Sequence, residues 1–135
     1  MTSLDGEGLD CGLTLNSVAS VSLDPQMMLI CLDNNAGTLL GVKSSGVFSI
    51  NILARDQQDL AERFAQKDND KFGATKVGRG ETGVALISGA LVAFECSVEG
   101  IYPGGDHQII VGSVLNIHQS DFSAKPLMYI DGKYS

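Results

Sequence analysis

The chain has 135 residues, of which 44% are hydrophobic, and nine basic against sixteen acidic side chains give it a formal charge of −7. This length and apolar content suit one domain with its own core, and no apolar run reaches the roughly 18 residues of a membrane span. The acidic balance disfavours nucleic acid as a partner, and the polar start MTSLDGEGLD is unlike a signal peptide. We therefore expect a single cytoplasmic domain over residues 1–135, without membrane or nucleic-acid contacts.

Short strands and one short helix are predicted in the first part of the chain. Residues 13–23 suit one or two short strands, and the continuous apolar run Met27–Leu32 suits a buried strand. A short helix is predicted at Thr38–Ser44. At Val47–Leu53 apolar and polar residues alternate, which predicts a strand with one core face and one polar face.

A helix and a long hairpin are predicted in the second part. Asp56 is the expected N-cap of a helix at Gln57–Gln66, whose Leu, Ala and Phe residues share one face. The polar, glycine-dotted stretch Lys67–Gly83 is predicted to be a long loop. Ala90–Gly100 and Gln108–His118 are the expected arms of a hairpin.

The two hairpin arms carry different signals. The first arm alternates between apolar and polar residues, which predicts a solvent face formed by Glu95, Ser97 and Glu99. In the second arm, Gly112 suggests a bulge or a ligand close to the backbone. Successive strands without a βαβ rhythm favour a mainly β fold, namely a small antiparallel barrel with one or two peripheral helices.

Short hydroxyl and amide side chains crowd the run GLTLNSVASVSLDP, from Gly12 to Pro25. Backbone amides and short hydroxyls match the polar edge of a flat isoalloxazine ring without filling its space. The alternative is an exposed strand edge rich in Ser and Thr, which composition alone favours. The side chains concerned are Thr14, Asn16, Ser17, Ser20 and Ser22.

His107 follows Gly104, Gly105 and Asp106 at the predicted start of a strand. Beside a flavin, this histidine could orient the carboxamide or pyrophosphate of a nicotinamide cofactor. The alternative is a turn histidine that caps its own backbone. His118 is interpreted as a surface residue.

The cysteines and histidines do not predict a metal site. The three cysteines form no CxxC pair and show no metal-ligand spacing. Cys31 and Cys96 lie in apolar runs and are expected in the core. Cys11 has polar neighbours and is expected to be an exposed thiol without assigned chemistry.

Seven segments follow one another in the order and spacing of the short-chain flavin reductases. They are GLTLNSVASVSLDP, MMLICLD, FSINIL, LAERFAQKDNDKF, LISGALVAFECSVEG, GDHQIIVGSV and PLMYIDGKYS. Over about residues 9 to 134 the chain resembles these small FMN-binding split-barrel proteins, the reductase components of two-component flavin monooxygenases. The resemblance implies a Greek-key split β-barrel, a homodimer, flavin near the subunit interface, and NADH or NADPH as hydride donor. The family's usual first strand and helix look shortened here, which predicts an exposed sheet edge or a partner that covers it.

The resemblance also implies a set of site residues. His107 is the expected catalytic residue, acting by position and electrostatics, because hydride passes directly from nicotinamide to flavin. The phosphate of FMN or FAD is expected at the turn into Thr38–Ser44, with Lys43 and Lys71 as charge partners or as solvated lysines. Phe64 and Phe72 are expected to wall the pocket, with core packing as the alternative for Phe64. The complete cofactor-binding set is Thr14, Asn16, Ser17, Ser20, Val21, Ser22, Asp33, Thr38, Asn51, Phe64, Lys71, Phe72 and His107.

The leading hypothesis is an NAD(P)H:flavin oxidoreductase that supplies diffusible reduced flavin to a partner monooxygenase. One alternative is a non-catalytic split-barrel carrier or sensor that binds flavin or haem. A third is a β-rich interaction domain without a ligand. The sequence does not choose between FMN and FAD, or between NADH and NADPH.

Overall fold

A computed structural model describes residues 1–67, 70–120 and 123–135. In chain order the strands are β1 (Thr2–Leu4), β2 (Asp10–Gly12), β3 (Val18–Leu23), β4 (Gln26–Asp33), β5 (Val47–Ile52), β6 (Val77–Arg79), β7 (Ala85–Ile87), β8 (Val92–Gly104), β9 (His107–Gln119), β10 (Tyr129–Ile130) and β11 (Lys133–Tyr134). The helices are α1 (Gly37–Ser45) and α2 (Gln58–Ala65), and a 3₁₀ turn at Arg55–Gln57 leads into α2.

Seven strands form one antiparallel sheet in the order β2-β1-β5-β8-β9-β4-β3. Residues 13–17, which we call the crossing segment, connect its two edge strands, β2 and β3. At one end of this segment Leu13 N donates to Met1 O (3.1 Å), and at the other Ser17 O accepts from Cys31 N (3.1 Å). The crossing segment therefore runs from one edge of the sheet to the other and is hydrogen-bonded at both of its ends. The predicted fold class, a mainly β antiparallel split barrel with peripheral helices, is confirmed.

The core lies on one face of this curved sheet. Ile30 of β4, Phe48 of β5, Cys96 of β8 and Ile110 of β9 are fully buried there. Gly112 lies under the Phe48 ring, because a Cβ at this position would be 2.7 Å from Phe48 Cζ. The bulge predicted at Gly112 is found on the neighbouring strand β8. The group close to the backbone of Gly112 is the Phe48 ring.

Most predicted elements are found, with several differences. The helix at Thr38–Ser44 is α1, and the two apolar strands are β4 and β5. Asp56 is not the N-cap of α2, because it lies inside the 3₁₀ turn and Gln57 Oε1 instead accepts from Ala54 N (3.0 Å). The predicted loop at Lys67–Gly83 contains β6, and its Asp68 and Asn69 lie outside the described residues.

The polar face of β8 is exposed at Glu99, as alternation predicted, but it is covered at Glu95. Glu95 is fully buried beneath the ribbon of β6 and β7, and it stands opposite buried Ser49 of β5. Thr82 donates to Glu95 Oε1 through its amide (3.0 Å) and its hydroxyl (2.7 Å). His118 Nε2 lies 2.5 Å from Glu95 Oε2. His118 is thus a partner of a buried carboxylate as well as a surface residue.

The pKa of Glu95 reflects opposing effects. Burial by itself would raise this pKa, but the hydrogen bonds from His118 and Thr82 together lower it below the ordinary value. A group with a depressed folded-state pKa stabilises the fold at pH values above its unfolded-state pKa. That stabilisation is lost as the pH falls through the folded-state pKa.

We expect Glu95→Ala to lower the free energy of unfolding by about 2 kcal/mol at neutral pH, because buried donors lose their acceptor. Urea denaturation measures this change. Glu99→Ala is the matched control, since Glu99 lies exposed on the same strand and should change stability by less than about 0.5 kcal/mol. The difference in stability between wild type and Glu95→Ala should shrink as the pH falls from 7 through the lowered folded-state pKa of Glu95. A difference that keeps the same size throughout an acid titration would contradict this assignment.

Candidate functional site

One end of the sheet brings together three regions that the sequence analysis singled out. His107 is paired with Asp33 across β9 and β4. Ser17 reaches the same end, because its carbonyl accepts from Cys31, two residues before Asp33. α1 begins at Gly37, immediately beyond β4. Residues that are 90 positions apart in the chain therefore border one region.

The turn that carries His107 is held in place by Asn34. Gly105 has a φ of 69°, a left-handed conformation that glycine adopts at no steric cost. Asn34 N donates to Asp106 O (2.9 Å), and Asn34 Nδ2 donates to Gly105 O (3.2 Å). Asn34 Oδ1 accepts from Gln108 Nε2 (2.9 Å). No local pattern in the sequence indicates this role, since Asn34 and its partners lie more than 70 positions apart in the chain.

The imidazole of His107 is oriented by its neighbour. His107 Nδ1 lies 2.7 Å from Asp106 Oδ1, and 40% of the histidine side chain is exposed. His107 lowers the pKa of the Asp106 carboxyl below its usual range, chiefly through this hydrogen bond. The partner of the ring is therefore a side chain, whereas the alternative prediction was a cap on its own backbone.

His107 also lies at the rim of an apolar sheet face. Because side chains alternate along a strand, His107 shares its face with Ile109 and Val111, whereas Ile110 points into the core. We call this surface the outer face. Its half-buried or exposed apolar residues are Ala19, Leu29, Cys31, Tyr102, Ile109 and Val111.

The first turn of α1 offers backbone amides. Its N-cap is Ala36, whose methyl group cannot accept hydrogen bonds, and no acidic residue lies in this turn. Thr38 is buried in it. The turn before the helix is closed by Asp33, whose Oδ1 accepts from Asn35 N (2.7 Å). Free amides at a helix N-terminus favour an anion, whereas Lys43 lies in the last turn of α1, at the other end.

A cavity of about 480 Å³ is lined by residues 13–16 of the crossing segment. It is bordered by β5, α2 and the β10–β11 hairpin, and four residues of the predicted set line it: Thr14, Asn16, Asn51 and Phe64. Thr14 makes two hydrogen bonds to α2: its amide donates to Phe64 O (3.1 Å) and its hydroxyl donates to Ala61 O (2.6 Å). Asn51 Oδ1 accepts from Ile87 N (3.0 Å). Asn16 is exposed.

Lys71 and Phe72 lie against the start of the crossing segment. Lys71 Nζ donates to Gly12 O (3.0 Å). The Phe72 ring packs edge-on against Phe64, with 5.1 Å between centroids, and both rings lie beside Gly12. Phe64 is 5% exposed, in agreement with the core alternative.

Ser20, Val21 and Ser22 lie farther along β3, toward the end of the strand away from His107. In the described sheet β3 pairs only with β4, so its second side is an edge. The predicted residues thus form three groups: one at the sheet end, one at the cavity and Gly12, and one along the β3 edge.

The cysteines differ in part from expectation. Cys11 is half-buried, and burial together with Asp5 and Asp10 raises the pKa of its thiol to about 11. The predicted exposed thiol is therefore wrong. Cys96 is buried as predicted, with its pKa raised to about 12 by burial and Glu95, whereas Cys31 is half-exposed on the outer face.

Membrane-spanning helices and metal-ligand clusters are absent from the described parts of the chain. Neither helix there combines the length and the apolar content that crossing a bilayer requires. Among the same residues, no three His, Cys, Asp or Glu side chains cluster as metal ligands.

The split antiparallel barrel with two peripheral helices is the fold of the flavin reductase class. The chain belongs to the flavin reductase like domain family, whose profile matches residues 1–135. The family that the seven sequence segments indicated is therefore confirmed.

Three curated relatives match nearly the whole chain, and two of them are named as reductases. The chain is 36% identical to the actinorhodin polyketide dimerase of Streptomyces coelicolor, over 100% of this chain and 76% of the relative. It is 37% identical to a probable flavin reductase of Rhizobium meliloti, over 99% of this chain but only 42% of that protein. It is 30% identical to HsaB of Rhodococcus jostii, a reductase subunit of a flavin-dependent monooxygenase, over 100% and 68% of the two chains.

A solved structure agrees as well. The NADH:FAD oxidoreductase SgcE6 of Streptomyces globisporus superimposes with a TM-score of 0.92 at 29% identity, over 99% of this chain and 81% of that one. SgcE6 has also been solved in complex with NAD and FAD fragments.

Proposed function

We propose that this protein is an NAD(P)H:flavin oxidoreductase that transfers hydride from nicotinamide to FMN or FAD and supplies reduced flavin to a partner monooxygenase. The observation that carries the proposal is the meeting of the His107 turn, the crossing segment and the α1 N-terminus at one sheet end. Family membership supports the reaction class. The relatives named as NADH-dependent reductases and monooxygenase reductase subunits support the donor and the partner.

The residues at the sheet end fit a flavin. Ser17 and the free edge of β3 offer backbone groups and short hydroxyls to the polar edge of a ring. The uncapped amides of α1 suit the phosphate, which matters because the whole chain is acidic. A bound flavin would supply the two-electron acceptor that the side chains lack.

His107 would hold the nicotinamide donor. Its ring is fixed from the Nδ1 side by Asp106, and a large fraction of it is exposed at the rim of the site. Hydride transfer needs a close, aligned approach of donor and acceptor, and no proton transfer to a base. We therefore assign His107 a role in orienting the donor and not in removing a proton.

We also propose a homodimer formed through the outer face. Its half-buried aliphatic side chains, among them Leu29, Ile109 and Val111, are a contiguous patch on paired strands, and such patches commonly mark interfaces. A twofold contact uses the same patch on both copies. Because His107 lies at the rim of this patch, the second copy would border the site. A cytoplasmic location stays a prediction.

Steady-state oxidation of NADH and NADPH, followed at 340 nm with FMN, FAD and riboflavin side by side, tests the activity. We expect nicotinamide oxidation that depends on added flavin. Flavin binding without turnover would favour the carrier alternative, and a haem Soret band its haem-binding form. Absence of flavin-dependent oxidation with both nucleotides would refute the reductase.

A further inference from the structure

We infer that Arg63 of α2 is a positioning residue for the flavin site, acting through the turn at residues 71–75. The inference rests on the proposed function, because it concerns how tightly the site holds flavin. Arg63 lies at the end of α2 and does not line the cavity. Its effect would pass through backbone and side-chain hydrogen bonds.

Arg63 holds this turn through two bonds from one nitrogen. Arg63 Nη1 donates to Ala74 O (3.1 Å) and to Thr75 Oγ1 (3.0 Å). The Thr75 hydroxyl in turn donates to Lys71 O (2.5 Å), and Thr75 N donates to Phe72 O (3.0 Å). The guanidinium therefore fixes the threonine that closes the turn.

The turn holds two predicted flavin-site residues, Lys71 and Phe72, against Gly12, the residue just before the crossing segment. Lys71 Nζ donates to Gly12 O (3.0 Å). A Cβ on Gly12 would be 3.4 Å from Phe72 Cζ and 3.2 Å from Phe64 Cε1, so the aromatic rings press against this backbone. Movement of the turn would shift Gly12 and the residues that follow it.

α2 holds the crossing segment from a second direction. The carbonyls of Ala61 and Phe64 accept the hydroxyl and the amide of Thr14. One helix thus fixes Thr14 directly and Gly12 through Arg63 and the turn. Arg63 is the member of this arrangement whose side chain can be changed without altering the residues that border the site.

The test compares flavin dissociation constants of Arg63→Met, Arg63→Lys and wild type by quenching of flavin fluorescence. Methionine keeps the apolar stem and removes the donors, and it should raise the dissociation constant about tenfold, because flavin binding would then carry the cost of ordering the turn. Lysine keeps a charged donor without the planar fork, so it should restore part of the affinity. The turnover number at saturating flavin should stay within about twofold of wild type.

Arg55→Met is the matched control. It removes the same charge from an exposed residue of the 3₁₀ turn that leads into α2, and it leaves the hydrogen bonds of Arg63 to Ala74 and Thr75 in place. Its flavin dissociation constant should stay near that of wild type. A purely electrostatic effect would raise the flavin dissociation constants of Arg55→Met and Arg63→Met alike and would overturn the inference.

Two outcomes separate this inference from the proposed function. If wild type binds flavin, Lys71→Met binds it weakly and Arg63→Met binds it normally, the inference is wrong and the reductase proposal stands. If wild type binds no flavin and oxidises no NAD(P)H, the proposed function fails. Should Arg63→Met not fold, an intermediate affinity of Arg63→Lys supports the inference and an unchanged affinity overturns it.

Discussion

His107→Ala should slow NADH-driven flavin reduction about 100-fold, the cost of losing alignment between two reacting groups. Flavin affinity should change by less than about threefold, because in the proposed arrangement the imidazole faces the nicotinamide donor and not the flavin. The structural reason is that Asp106 orients an accessible imidazole beside the sheet end where Asp33 and Ser17 lie. Stopped-flow measurement of flavin reduction, with separate flavin titrations, checks both quantities.

His118→Gln is the control for this variant. His118 lies near the other end of β9, and glutamine keeps a donor for Glu95. We expect flavin reduction at the wild-type rate in this variant. Equal rates in wild type and His107→Ala would remove His107 from the mechanism.

Val111→Glu should dissociate the proposed homodimer. The side chain lies at the centre of the outer face, opposite Leu29 of β4. A carboxylate buried there without a partner costs several kcal/mol, and each 1.4 kcal/mol is about tenfold in affinity, so the dimer dissociation constant should rise at least about 100-fold. Sedimentation velocity at several concentrations measures this, and flavin affinity should fall together with dimer content.

Leu40→Glu adds the same charge at another exposed apolar position. Leu40 is 73% exposed on α1 and does not lie on the outer face. This variant should sediment like wild type. If wild type is a monomer at micromolar concentration, or if Val111→Glu remains a dimer, the outer face is not the interface.

Local sequence patterns predicted correctly those elements whose burial does not depend on distant parts of the chain. The apolar run of β4 and the helix α1 follow from their own residues. Glu95 was expected on a solvent-exposed face and Ser49 on the polar face of its strand, because alternation with apolar neighbours is usual for a half-exposed sheet. Both are buried, since the β6–β7 ribbon folds over them and Thr82 supplies donors to Glu95. Tertiary cover of this kind leaves little trace in a strand's own sequence.

The candidate site shows the same division. The sequence marked the His107 turn and the small polar run as separate features, and the resemblance to flavin reductases related them. The register that sets His107 opposite Asp33 depends on the long β9–β4 pairing, which no local signal specifies. Asn34 and Arg63 were missed because their importance lies in partners that adjoin them only after folding.

The hydrogen bonds of Asn34 have a consequence for how the two substrates affect each other's binding. This asparagine connects the chain entering α1, where phosphate is expected, to the hairpin tip that presents His107. A first substrate that stiffens one of these turns would lower the entropic cost of ordering the other for the second substrate. Thermodynamic reciprocity then requires that each substrate tighten the other's binding by the same factor.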